Sequence, residues 1–130
     1  MTHAESDSHA ELEYRVMVVD DDVELLSTLS TMVTSWGGQV LSFNRFQDAR
    51  AKLLAGVDAD ALLVDVRIGP YNGLHLVHLA LKFYPTMTVV AMTGFDDPVL
   101  RAEAEKAGAT FFVKPVPADA LHKTLFGDAS

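Results

Sequence analysis

Four groups of residues in this 130-residue chain are of types that could do chemistry together: the run Asp20-Asp21-Asp22, Asp65, Thr93 and Lys114. One acid suffices to cap a helix, and adjacent carboxylates repel, so a run of three asks for a cation. A magnesium site built from one or two carboxylates, waters and a phosphate oxygen would answer that charge. Thr93 offers a hydrogen-bond donor, and Lys114 offers a positive charge to an anion in the same place. No serine, cysteine or histidine stands among them, which leaves an aspartate as the covalent acceptor of a phosphoryl group. Each residue taken singly has a plainer reading as a helix cap or a solvated loop residue, so everything turns on whether the fold brings them together.

Asp65 closes the apolar run Ala61-Leu62-Leu63-Val64, and the glycine- and proline-bearing stretch 66–73 follows it. An unbroken apolar run of this length reads as a strand buried on both faces, as in a parallel sheet. A second such run, Arg15-Val16-Met17-Val18-Val19, leads directly into the three aspartates. A third, 87–92, ends at Thr93-Gly94, and a fourth, Thr110-Phe111-Phe112-Val113, ends at Lys114-Pro115. The alternating segment 39–43 reads as an edge strand.

Between these strands the apolar spacing turns helical. A helix runs from Val23 to Trp36 with Leu25, Leu26, Leu29, Met32 and Val33 along one side, stopped by Gly37-Gly38. A second spans 44–55, with Phe46, Ala49, Leu53 and Leu54 inward. The third spans 73–83, with Leu74, Val77 and Leu81 on one face and His75, His78 and Lys82 on another, read as a solvated polar stripe. Asp97-Pro98 supplies a cap and a first-turn proline for a fourth helix, which carries the i,i+4 pair Arg101 and Glu105 and ends at Gly108. The fifth spans 117–126. Five alternations of strand and helix predict right-handed crossovers and a doubly wound five-stranded parallel sheet, in a three-layer α/β/α sandwich with flavodoxin-like strand order 2-1-3-4-5. In such a sheet all strand tips lie on one edge, so the acids, Thr93 and Lys114 converge there.

Composition bounds the rest. Eighteen acids against ten bases give a net charge of −8, which argues against direct binding to nucleic acid or anionic membranes. The absence of cysteine removes disulfides and thiolate chemistry. No apolar run approaches the roughly 20 residues of a membrane span, and no signal-peptide core is present, so a cytoplasmic location is expected. Residues 1–13, with His3 and His9, read as a flexible lead-in, 14–127 as the domain and 128–130 as a short tail.

Taken together, Val18-Val19-Asp20-Asp21, Leu63-Val64-Asp65 with Gly73 eight residues on, Thr93-Gly94 and Lys114-Pro115 strongly resemble the receiver domain of two-component response regulators. The resemblance covers residues 15–126. It implies Asp65 as phosphoacceptor, and Asp20, Asp21, Asp65 and the backbone carbonyl of Arg67 as the set holding Mg2+. It implies Thr93 as the switch hydroxyl, Lys114 as the phosphate contact and Phe111 as the switch aromatic. It further implies a phosphorelay role, with a sensor histidine kinase or phosphotransfer protein as donor and a downstream protein as reader, and stoichiometric phosphorylation in place of enzymatic turnover. Gly69 stands where the family usually has proline, with Pro70 after it, which alters the loop beyond Asp65. Arg67 and Phe95, two positions after Asp65 and Thr93, fall where the family tunes phosphoryl lifetime, and both are expected to hinder the attacking water.

Two other readings meet specific residues that disfavour them. A phosphatase of the haloacid-dehalogenase type would place a second aspartate two residues after the nucleophile, where this chain has Arg67. A receiver-like interaction module independent of phosphorylation would usually have lost an acid, the acceptor or the lysine, and all are present. The output stays open at this point: a stand-alone receiver acting by protein contact, or part of a larger regulator or hybrid kinase.

Overall fold

The computed structural model describes residues 13–127, so His3, His9 and the expected tail at 128–130 lie outside the described residues. Strand β1 is Arg15–Val19, β2 Gln39–Phe43, β3 Ala61–Asp65, β4 Thr88–Thr93 and β5 Thr110–Val113. Helices α1 Val23–Ser35, α2 Phe46–Ala55, α3 Leu74–Phe83, α4 Pro98–Ala107 and α5 Ala118–Phe126 alternate with them. All five strands pair in parallel, in the order β2-β1-β3-β4-β5, the flavodoxin-like order expected from the alternation.

The sheet divides the core in two. Met17, Val19, Leu62, Val64, Val89, Ala91 and Phe111 face α2, α3 and α4, whereas Val16, Val18, Leu63, Val90 and Met92 face α1 and α5. Period-two alternation sends neighbouring residues of one strand to opposite layers, and both layers are apolar, which is why the central strands read as unbroken hydrophobic runs. Every residue of β3 is buried. Truncating a core side chain such as Leu63 would cost about 2–5 kcal/mol.

Local chemistry sets the helix ends. Asp22 caps α1, its Oδ1 accepting from the amides of Glu24 and Leu25 at 3.1 and 3.2 Å. Asp97 caps α4 in the same way, with Pro98 in the first turn, and Gly108 ends that helix in the left-handed region at φ 110°. The second helix starts at Phe46, two residues later than its apolar spacing suggested, with no side-chain cap at Arg45. Leu54 was expected inward but is 48% exposed, because the stripe set by Phe46, Ala49 and Leu53 turns away from it by about one residue's rotation.

The stretch 66–73, expected as a loop, contains a short antiparallel hairpin in which Arg67 pairs with Asn72 and Ile68 with Tyr71. Gly69 and Pro70 make its turn, with Gly69 in the left-handed region at φ 59°. Among the described residues, no helix is long and apolar enough to cross a membrane.

Candidate functional site

The parallel register aligns the strand ends: Val19 lies beside Val64, Asp65 beside Met92 and Thr93 beside Val113. Backbone bonds continue the ladder past the strands, from Asp20 N–H to the Phe43 carbonyl at 3.1 Å and from Lys114 N–H to the Thr93 carbonyl at 2.7 Å. The tips are therefore held by the sheet's own hydrogen bonding. Asp20 is fully buried, Asp65 and Thr93 are nearly so, and Asp21 is exposed.

Asp20, Asp21 and Asp65 each present a carboxylate oxygen within 4.8 Å of the other two. Octahedral Mg2+ holds ligands at about 2.1 Å, so oxygens on opposite sides of it lie about 4.2 Å apart. The 4.8 Å spread exceeds that span by only about half an ångström, and the all-oxygen donor set suits a hard divalent cation.

The three consecutive aspartates have three different tasks. Asp20 Oδ1 accepts from the Asp22 amide at 2.9 Å, Asp21 Oδ2 accepts from the Gly69 amide at 2.7 Å, and Asp22 caps α1. The Asp65 carboxylate is gripped from both sides. Its Oδ1 accepts from the Arg67 amide at 3.2 Å, and its Oδ2 accepts from Lys114 Nζ at 3.0 Å. Lys114 Nζ donates equally to Asp20 Oδ2, also at 3.0 Å, and so bridges the two buried acids.

Burial, helped by the Asp65 charge, raises the Asp20 carboxyl above its ordinary value, against the opposing pull of the Asp22 amide and Lys114. Burial would lower the Lys114 ammonium, but its hydrogen bonds to Asp65 and Asp20 outweigh that and hold it above the ordinary lysine value.

A cleft of about 520 Å³ opens over this cluster, lined in part by Asp21, Asp65, Arg67, Thr93, Phe95 and Lys114. It leaves room for a phosphoryl group beside Asp65. The Thr93 hydroxyl accepts from the Phe95 amide at 3.4 Å and borders the same space. Phe111 is not in the cleft. It is buried on the face covered by α2 to α4, with the Arg101 guanidinium 4.8 Å from its ring centroid.

Gly73 is fixed by contact: a Cβ there would be driven into the Asp65 carbonyl oxygen. The hairpin, and through Gly69 its contact with Asp21, escaped the sequence reading. Gly69-Pro70 marks a turn, but strands of two residues leave no alternation beside it to announce a hairpin.

Comparisons with known proteins bear on the fold and on the family. A sequence profile described as the response regulator receiver domain matches residues 16–126. The transcriptional regulatory protein ZraR of Salmonella typhimurium is 32% identical over 111 residues, 85% of this chain and 25% of that protein. The DNA-binding transcriptional regulator NtrC of Proteus hauseri is 34% identical over 110 residues, again 85% of this chain but 23% of its own length. The chain thus spans about a quarter of these curated relatives.

Among solved structures, a CheY-like receiver domain protein from Methanospirillum hungatei superposes with a TM-score of 0.79 at 24% identity, covering 85% of this chain and 89% of that one. A response regulator from Burkholderia pseudomallei, solved with a phosphorylated aspartic acid, calcium ion and citrate, gives a TM-score of 0.78 at 23% identity, covering 87% and 66%. These two likenesses bear on the fold, and the profile match bears on the family. On the match over residues 16–126, the chain belongs to the response regulator receiver domain family.

Proposed function

We propose that Asp65 is the residue of this receiver that takes up a phosphoryl group, with Asp20, Asp21, Asp65 and the Arg67 carbonyl holding Mg2+. The observation that supports this most is the position of Asp65: a nearly buried carboxylate at the end of the central strand, fixed by the Arg67 amide and Lys114 and opening into the cleft. A carboxylate oxygen of Asp65 attacks the phosphorus of a phosphohistidine on a sensor kinase or phosphotransfer protein. The new O–P bond forms as the donor's N–P bond breaks, and the imidazole nitrogen leaves with the electron pair. Attack by water on phosphorus later returns the carboxylate and inorganic phosphate.

When bound, Mg2+ supplies positive charge that offsets the clustered carboxylates and the phosphoryl oxygens. The chain's own residues do the rest. Lys114 can leave the two acids and donate to a phosphoryl oxygen, since a phosphoryl group brings about −1.5 to −2 charge and three strong acceptors. Thr93 turns its hydroxyl toward the same group, and the space it vacates admits Phe111 in a new rotamer. The protein acts as a stoichiometric acceptor in the cytoplasm, and its altered surface is read by a partner protein.

The assignment is tested by chemical mapping. After incubation with a low-molecular-weight phosphodonor and Mg2+, borohydride reduction should convert residue 65 alone to homoserine, as expected of an acyl phosphate there. Homoserine at another aspartate, with residue 65 unchanged, would overturn it.

A further inference from the structure

We infer that Tyr71 is a positioning residue of the divalent-cation site, acting through the hairpin that follows Asp65; this rests on the metal site proposed above. Tyr71 is 41% exposed, yet it is tied down at both ends. Its ring stacks on buried Phe46 at the start of α2, with centroids 4.5 Å apart and planes 10° from parallel. Its hydroxyl accepts from Gln47 Nε2 at 3.0 Å. Offset aromatic stacking stabilises beyond the area it buries, and here it joins the hairpin to the first turn of α2, beside Asp21.

The hairpin carries what the site needs. Tyr71 pairs with Ile68, which is almost fully buried, and between them Gly69 and Pro70 turn the chain. The Gly69 amide donates to Asp21 Oδ2 at 2.7 Å, and at the hairpin's other end the Arg67 amide donates to Asp65 Oδ1 at 3.2 Å. Asp21 is the exposed member of the acidic set, so nothing comparable to the burial of Asp20 orients it. The Gly69 amide does that, and the stack of Tyr71 on Phe46 holds Gly69 in place. Gly69 at φ 59° tolerates this turn where other residues would be strained, but glycine alone would leave the turn loose. Tyr71 supplies the stiffness.

A looser hairpin should harm a small, geometrically demanding ion more than a large, adaptable one, because Mg2+ requires near-octahedral ligands whereas Ca2+ accepts irregular ones. The test is NMR-monitored titration of the intact chain with Mg2+ and with Ca2+ for the wild type, Tyr71→Ala, Tyr71→Phe, Asp21→Asn and Leu125→Ala. Tyr71→Ala is expected to weaken Mg2+ binding about five- to tenfold and Ca2+ binding less than twofold. Tyr71→Phe, which keeps the stack, should stay within twofold of the wild type. Leu125→Ala, a core change on the opposite face of the sheet, should lower thermal stability without changing the Mg2+ to Ca2+ ratio.

Hydrogen exchange without metal gives a second readout: the Gly69 amide should lose protection in Tyr71→Ala and keep it in Tyr71→Phe. Unchanged Mg2+ affinity in Tyr71→Ala, with Asp21→Asn defective, would overturn this inference alone. A wild type that binds no Mg2+ would overturn the metal site and the inference together.

Discussion

Lys114 Nζ donates to Asp65 Oδ2 at 3.0 Å across 49 residues of sequence, which ties the end of the last strand to the end of the central one. Its ammonium is the cation that makes two buried carboxylates tolerable when no metal is present. Lys114→Met should therefore lower the stability of the metal-free protein by about 1–3 kcal/mol at neutral pH. The folded ammonium holds its proton more tightly than the unfolded one, so its contribution is complete below the ordinary value of 10.5 and fades as pH rises through the higher folded value. Urea unfolding of both forms across the alkaline range checks this. Equal stabilities at neutral pH would contradict it.

Asp20 carries the opposite sign. Burial raises its carboxyl above the ordinary 3.8, so the folded state holds this proton more tightly than the unfolded state does, and the group opposes folding as pH rises through the raised value. Asp20→Asn keeps an acceptor for the Asp22 amide and removes the charge. Without metal it should be more stable than the wild type by about 1 kcal/mol at neutral pH, with the gap closing in acid. In saturating Mg2+ the order should reverse, since ligand binding stabilises the form that binds better. Thermal melts with and without Mg2+ would show the crossing.

Asp21 and Asp22 separate cleanly. Asp22→Ala removes a helix cap and should cost about 1 kcal/mol while leaving Mg2+ affinity near that of the wild type. Asp21→Asn should abolish Mg2+ binding at little cost in stability, because an amide oxygen can still accept from Gly69. Calorimetric Mg2+ titration paired with urea unfolding distinguishes the two, and a loss of Mg2+ binding in Asp22→Ala would count against the assignment.

Arg67 and Phe95 line the cleft beside Asp65, and Phe95 is 64% exposed, with no core partner to account for it. With a phosphoryl group on Asp65, both are expected to hinder the approach of the attacking water. Arg67→Ala and Phe95→Ala should each shorten the phosphoryl lifetime several-fold, measured as phosphate release after removal of the donor. Unchanged or longer lifetimes would assign them another role.

The strands were legible because burial on both faces leaves a pattern few other elements share, and the convergence of the three aspartates, Asp65, Thr93 and Lys114 on one edge followed from their places at the ends of those runs. Which aspartate caps α1 could not be read, since all three are adequate caps and only the fold shows that the helix begins after Asp22. Leu54 misled because an apolar residue next to Leu53 looks inward until the rotation of the helix is fixed by Phe46 and Ala49. The hairpin was hidden for a different reason. Two-residue strands have no period to detect, and the stack between Phe46 and Tyr71 is a tertiary contact that only the fold creates.

The central claim is tested most directly by intact-mass analysis after incubation with a small-molecule phosphodonor, with and without Mg2+, for the wild type and Asp65→Asn. One added phosphoryl group on the wild type, dependent on Mg2+ and absent from Asp65→Asn, is the predicted result. An adduct of equal yield on Asp65→Asn, or none on a folded wild type that demonstrably binds Mg2+, would contradict it.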